Sequence, residues 1–233
     1  MAAQRRALFG RPPGDRGHAD PNVTATLSAF HQALATEQEA LLAVASARLL
    51  VPVVAVLSFP PRASVDEATG AEKESEMALP TLIGNDGRAA IIAFTGLETM
   101  TRWRRDARPV PTPAARVWHA AITEGQAVVI DVAGPVPLVV EGARLEALAA
   151  GEAPPPPHED PDVRAVIEHA VAAEPAVIEC ALAPATQGGD LAVMLRVATE
   201  ADADAEAARR AAEVIAARLS ARFRRGLELS VSQ

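Results

Sequence analysis

Residues 49 to 57 read "LLVPVVAVL", a run without one charged or hydrogen-bonding side chain. It is much shorter than the ~18 apolar residues of a membrane span. It is also too continuous for a strand with one face in water, which would alternate. Such a run is a strand covered on both faces, so helices or a second sheet must lie against each side of it. "AVVIDV" (127–132) makes the same demand, with a short companion strand in "PLVV" (137–140). Pro52 cannot donate a ladder hydrogen bond, which predicts a free edge at that point of the first strand.

Helical periodicity and breakers fill the intervals. Asn22 is a natural N-cap, and Val23, Leu27, Phe30 and Leu34 recur at helical spacing behind it. Thr36 and Glu39 form a capping box for a second helix with Leu41, Leu42 and Ala45 on its apolar face. Residues 58–77 are polar and acidic and read as a loop. "LPTLIGNDGRAAIIAF" (79–94) reads as a hairpin, with Asn85-Asp86-Gly87 supplying a turn that tolerates positive φ. Phe94-Thr95-Gly96-Leu97-Glu98 then converts a strand into a helix carrying Leu97, Met100 and Trp103. Thr95 and Glu98 have the spacing of another capping box. Thr112-Pro113 predicts a further helix start, running to about Gly125, and 143–150 a short helix ended by Gly151.

The proline run in "GEAPPPPHED" (151–160) reads as an extended linker. Beyond it the pattern is α-β-β-α-β: a helix from Asp160-Pro161, alternating strands with Ile178, Cys180 and Leu182, then Leu191, Val193, Leu195 and Val197, a turn at Gln187-Gly188-Gly189, a long helix from about Asp202 to Phe223, and a last strand with Leu227, Leu229 and Val231. The expected organisation is a mobile tail (1–22), a domain over 23–150, the linker, and a second domain over 161–233. The fold class is mixed α/β, with a mixed sheet packed by helices in each of two small domains.

Composition narrows function. The net charge of −8 is unlike the basic footprint of a nucleic-acid binder. The single cysteine, Cys180, excludes an internal disulfide and a multi-cysteine zinc site, and its apolar neighbours make it a small hydrophobe. The five histidines show no metal spacing. No apolar h-region follows Arg5-Arg6, so no secretory signal is expected and the chain reads as cytoplasmic, away from membranes. No nucleotide-binding or hydrolase motif is present, and neither cofactor nor metal is expected. The candidate binding residues are Thr95 at the helix start, where free amides could hold an anion; Arg102, Trp103, Arg104 and Arg105, a basic face for an acidic protein partner; and Asp131, which must be hydrogen-bonded if its strand buries it. Arginine clusters are a weaker sign of function here than usual, since Lys73 is the only lysine among 22 basic residues, a coding bias.

The pieces Leu50-Val51-Pro52-Val53, Leu79-Pro80, the FTGLE corner with Trp103, and Ile130-Asp131 followed by Gly134-Pro135 resemble the SseB N-terminal domain family, best represented in actinobacteria. The resemblance covers about residues 23 to 150, and the module after the linker is similar to the SseB C-terminal domain. It implies a family named for a serine-sensitivity phenotype, with no established reaction or catalytic residues. The expected function is a non-enzymatic interaction or regulatory protein with a protein partner. The alternative is a small-molecule binder or enzyme with a cleft between the domains near Asp131 and the Thr95 helix start.

Overall fold

The computed structural model describes residues 15–57, 75–78, 80–84, 87–135, 137–199 and 202–232. Seven helices and three sheets are present among them, a mixed α/β architecture as expected. The chain divides into two compact units, each discontinuous in sequence: residues 1–20 with 48–139, and residues 21–47 with 140–233.

In the first unit, β1 (Arg48–Leu57) lies between β2 (Ser75–Ala78) and β5 (Arg108–Pro113), antiparallel to both. Leu49, Leu50, Val53 and Val54 are all buried, so the strand is covered on both faces as its composition demands. A second sheet has the order β3-β4-β6-β7: β3 (Thr81–Ile83), β4 (Ala89–Ala93), β6 (Ala127–Ile130) and β7 (Leu138–Val140). The β3–β4 hairpin is antiparallel, with Gly87 at a φ of +79° in its turn; Asn85 and Asp86 lie outside the described residues. β4 and β6 run parallel. Leu50 exchanges both backbone hydrogen bonds with Phe94, at 2.7 and 2.9 Å, and so links the two sheets. Helix α3 (Leu97–Trp103) follows β4, and α4 (Ala114–Glu124) connects β5 to β6 and packs on both.

That Leu50–Phe94 exchange also explains the prolines of β5. Backbone groups alternate along a strand, so residues 49, 51 and 53 turn theirs toward β5, opposite Thr112, Val110 and Arg108. Pro109, Pro111 and Pro113 therefore face outward, and the sheet's outer edge has no donor at any of the three. Proline at alternate positions is a defence against edge-to-edge pairing. Pro52, on the opposite side of β1, falls between the Phe94 bridge and the start of β2 pairing at Val54, where no donor is needed.

The second unit packs α1 (Pro21–His31) on α2 (Glu37–Ala45), α5 (Gly142–Ala150) on α6 (Pro161–Ala172), and α6 on α7 (Asp202–Leu219). Its sheet has the order β10-β9-β8: β8 (Val177–Ala183), β9 (Leu191–Val197) and β10 (Leu227–Ser232), the last parallel to β9. The module after the prolines thus has the expected α-β-β-α-β order. Leu191, Val193, Leu195 and Val197 all point into a core completed by Val163, Ile167, Ala208, Ile215 and Leu219. The Thr36–Glu39 capping box forms in full, Thr36 Oγ1 accepting from Glu39 N and the Glu39 carboxylate accepting from Thr36 N at 2.7 Å.

A buried charge network closes this unit. Glu37 accepts from Arg144 Nη1 and from Arg222 Nε and Nη2, and Arg222 Nη2 also donates to Asp160 Oδ2 at 2.7 Å. Glu37 is 4 %, Arg144 3 % and Asp160 0 % exposed. Asp160 also caps α6, its Oδ1 accepting from Asp162 N. Asp162 Oδ2 in turn accepts from Ala143 N at the start of α5. Gly142, at a φ of +57°, leaves room for that carboxylate; a Cβ there would sit 2.0 Å from it.

Several expectations are corrected. The first helix starts at Pro21, so Asn22 lies inside it, and it stops at His31, leaving Leu34 73 % exposed. The buried face of α2 is Ala40, Leu41 and Val44, with Leu42 exposed. Residues 75–78 pair with β1, whereas the loop expected before them, 58–74, lies outside the described residues. Thr112 belongs to β5 and bonds Val110 O, and α4 starts without a side-chain cap. A β-bulge between Val177 and Glu179 turns Ile178 out to 50 % exposure, while Cys180 and Leu182 pack inward. Of the expected tail, 1–14 lie outside the described residues, but Asp15 is ion-paired with Arg48 at 3.1 Å.

Replacing Glu37 by alanine leaves the buried Arg144 guanidinium and the part-buried one of Arg222 without their shared carboxylate. We expect a loss of about 3–5 kcal/mol in urea unfolding of the intact chain. A second expectation concerns Glu228. Its carboxylate accepts from Thr186 N, Gly189 N and Gln187 N, which hold the group below the usual glutamate range. A depressed folded pKa stabilises above the unfolded value of about 4.3 and loses that contribution as pH falls through the folded value. Glu228→Gln should therefore flatten the acid limb of the stability–pH curve.

Candidate functional site

The strands β4 and β6 end side by side, Ala93 opposite Ile130, and the chain leaves each end sharply. Carboxyl ends of neighbouring parallel strands are a common ligand position in α/β sheets. Here Asp131 takes a φ of +52°, a left-handed conformation that aspartate tolerates better than most residues. Its N–H still donates to Ala93 O at 2.9 Å, which extends the β6 ladder by one bond, and its C=O accepts from Gly134 N at 2.7 Å. The turn swings the carboxylate across to the start of α3.

Asp131 is buried, 6 % exposed, as is Thr95. Asp131 Oδ1 accepts from Thr95 N at 2.9 Å and from the Thr99 hydroxyl at 2.5 Å. Oδ2 accepts from the Thr95 hydroxyl at 2.6 Å. A charge-assisted set of this kind is stronger than a neutral one. The capping box expected from Thr95 and Glu98 does not form: Gly96 occupies the N-cap with no side-chain bond, and Glu98 pairs with Arg102 at 2.6 Å. Thr95 lies one residue too early, and its hydroxyl goes to the acid across the corner. Asp131 supplies the negative charge to this helix start.

The corner is closed from outside too. Leu97 N donates to Gly17 O at 2.8 Å. Arg48 donates to the carbonyls of Thr95 and His18, while its Nε is paired with Asp15. Sequence reasoning found Thr95 and Asp131 but missed Thr99, Arg48 and residues 15–18. The Thr95–Thr99 interval of four was the available signal for one of them.

The arginine face lies on and just after α3. Arg102 and Arg105 line a shallow concavity with Leu97, Glu98 and Thr101. Arg104 is closed on Asp106 through two bonds, at 2.8 and 3.1 Å. Trp103 is half-buried, with its ring 5.5 Å from that of Phe94 and packed against the cluster of Leu50, Ile92 and Met100. The structure therefore separates the four: Arg102 and Arg105 share a surface, Arg104 is committed locally, and Trp103 belongs to the core. Cys180 packs against the second unit's core, and burial pushes its thiol up. No cluster of three potential metal-ligating side chains occurs among the described residues, and no described helix is long and apolar enough to cross a membrane.

The family profile described as the SseB protein N-terminal domain matches residues 23–147, just over half of the chain. No curated protein and no solved structure matches.

Asp131→Ala should cost about 2–4 kcal/mol in chemical unfolding, because two hydroxyls and a backbone N–H lose a buried charged acceptor. Asp131→Asn keeps the left-handed turn and one acceptor oxygen, and should lose roughly half as much. Equal stability of all three proteins would remove the clamp role.

Proposed function

Since the chain belongs to the SseB family through its N-terminal domain, we propose that it acts in the cytoplasm as a non-enzymatic interaction or regulatory protein. Its contact surface is the exposed face of α3, and its partner is an acidic segment of another protein. The observation that carries this reading is the pairing state of the arginines. Among the described residues Arg102 is held by Glu98 alone, an i,i+4 pair with both side chains more than half exposed. Such a pair contributes about 0.3–0.5 kcal/mol, so exchange for a partner's carboxylate is nearly free. Arg105 is exposed beside it and has no carboxylate partner among the described residues. Leu97 and Thr101 supply the less polar floor that a peptide needs between its charged contacts. The overall charge of −8 favours a protein segment over nucleic acid.

The test is purification of the tagged chain from its native organism, with proteins and small molecules identified by mass spectrometry. A stoichiometric partner is expected, lost on reversing Arg102 and Arg105 to glutamate and retained on reversing Arg104. Binding should weaken as salt rises through the physiological range. A copurifying metabolite without a protein partner would overturn the reading and return attention to Asp131.

A further inference from the structure

A groove in the first unit is lined by residues other than those of the α3 face. Its volume is about 130 Å³. Val51 and Val110 from one sheet and Ile91 from the other form its floor, and all three side chains are only half-buried. Helix α4 forms the wall through Arg116, Ala120 and Glu124, three residues that fall on one stripe at intervals of four. The middle position carries only a methyl group, and the groove is the space that a larger side chain would fill.

The polar end is the informative one. α4 ends in a Schellman motif: Gly125 has a φ of +63°, Gly125 N bonds Ile122 O, and Gln126 N bonds Ala121 O at 2.9 Å. The residue after the left-handed glycine ordinarily makes a hydrophobic contact back onto the helix. Here it is Gln126, and its Oε1 is buried with no hydrogen-bond partner among the described residues. A local rule broken with no compensating partner among the described residues is expected at functional or strained positions. Glu124 stands at the same end and has no ion-pair partner among the described residues. Two oxygen acceptors, one of them a carboxylate, thus meet an aliphatic floor.

We propose that this groove binds an apolar primary amine. The ammonium sits at the Gln126 Oε1–Glu124 end, and the hydrocarbon body lies against Val51, Ile91 and Val110. The volume suits roughly six non-hydrogen atoms, comparable with the cavity that admits benzene in an engineered core. An ammonium satisfies the amide oxygen and the carboxylate together, a hydroxyl satisfies one of them, and a carboxylate ligand meets Glu124 as a like charge.

The probe is 3-methylbutylamine, titrated into the full chain with isotope-labelled methyl groups and read by NMR. The methyls of Val51, Ile91, Val110 and Val117 should shift with a Kd on the order of 1 mM, the affinity expected at this ligand size. 3-Methylbutanol should bind several-fold more weakly, and 3-methylbutanoate should fail to shift these methyls. Gln126→Leu should weaken the amine roughly tenfold, the consequence of losing one charged hydrogen bond. Ala120→Phe, at an exposed position, should abolish binding while leaving the unfolding midpoint in place. Unshifted methyls with the amine, an unchanged amine affinity in Gln126→Leu, or tighter binding of the carboxylate would each overturn the proposal. None of these outcomes depends on the α3 face, which lies on other residues.

Discussion

The second unit depends on one carboxylate. Glu37 stands in the first turn of α2, where an acid complements the helix dipole and where the adjacent capping box already fixes the backbone. From that position it holds Arg144, 107 residues away, and Arg222, 185 residues away. Burial pulls the Arg144 guanidinium down, and Glu37 is the main charge opposing that pull. A buried network of this sort adds little net stability over apolar packing, but it is costly to leave incomplete. Its effect is therefore on arrangement: segments 21–47 and 140–233 must close on one another in a single register. The family-matched span ends at 147, between Arg144 and Asp160. Two members of the network lie inside the matched span and two beyond it, so the buried charges of the matched helices are completed by residues outside the match.

The first unit handles its buried acid differently. Among the described residues Asp131 forms no ion pair, and its donors are a backbone N–H and two threonine hydroxyls. The geometry that brings these donors together is strict: a left-handed turn after β6, a helix start one residue after Thr95, and threonines four apart. The same economy of donors governs the sheet edge. Three prolines on β5 put their missing N–H groups where no partner strand is wanted, and keep Arg108, Val110 and Thr112 for pairing with β1.

What the sequence made legible follows from range. The Thr36–Glu39 capping box, the β3–β4 hairpin, the alternation in β9 and the Gly125 and Gly151 helix ends are all decided within about six residues, and all appear. Thr95 and Glu98 match the same capping pattern and fail, because a stronger acceptor reaches Thr95 from 36 residues away. Ile178 alternates correctly with Cys180 and is still turned outward, since one bulged residue reverses the facing of what precedes it. Thr112-Pro113 predicts only a helix start, yet Pro109, Pro111 and Pro113 stand at every second position, the signature of an edge strand. The Glu37 network had no local signature at all; its members are ordinary surface-type residues until the chain closes.

The corner where β4 and β6 end beside the start of α3 shows how a ligand position is converted into a joint. Parallel strand ends, a helix start and two hydroxyls are the parts from which anion sites are assembled. The Thr95 amide and the Thr95 and Thr99 hydroxyls are instead turned onto Asp131, and Leu97 N is taken by Gly17 O. An incoming anion would have to displace a covalently attached carboxylate whose effective concentration is set by one rigid turn, and it would do so against that carboxylate's charge. Among the described residues of this unit, polar groups with unmet capacity include Arg105, just after α3 and beside a weakly held Arg102, and the Gln126 amide oxygen past the end of α4. Both contact sites proposed for this unit accordingly lie along these helices and not at the strand ends.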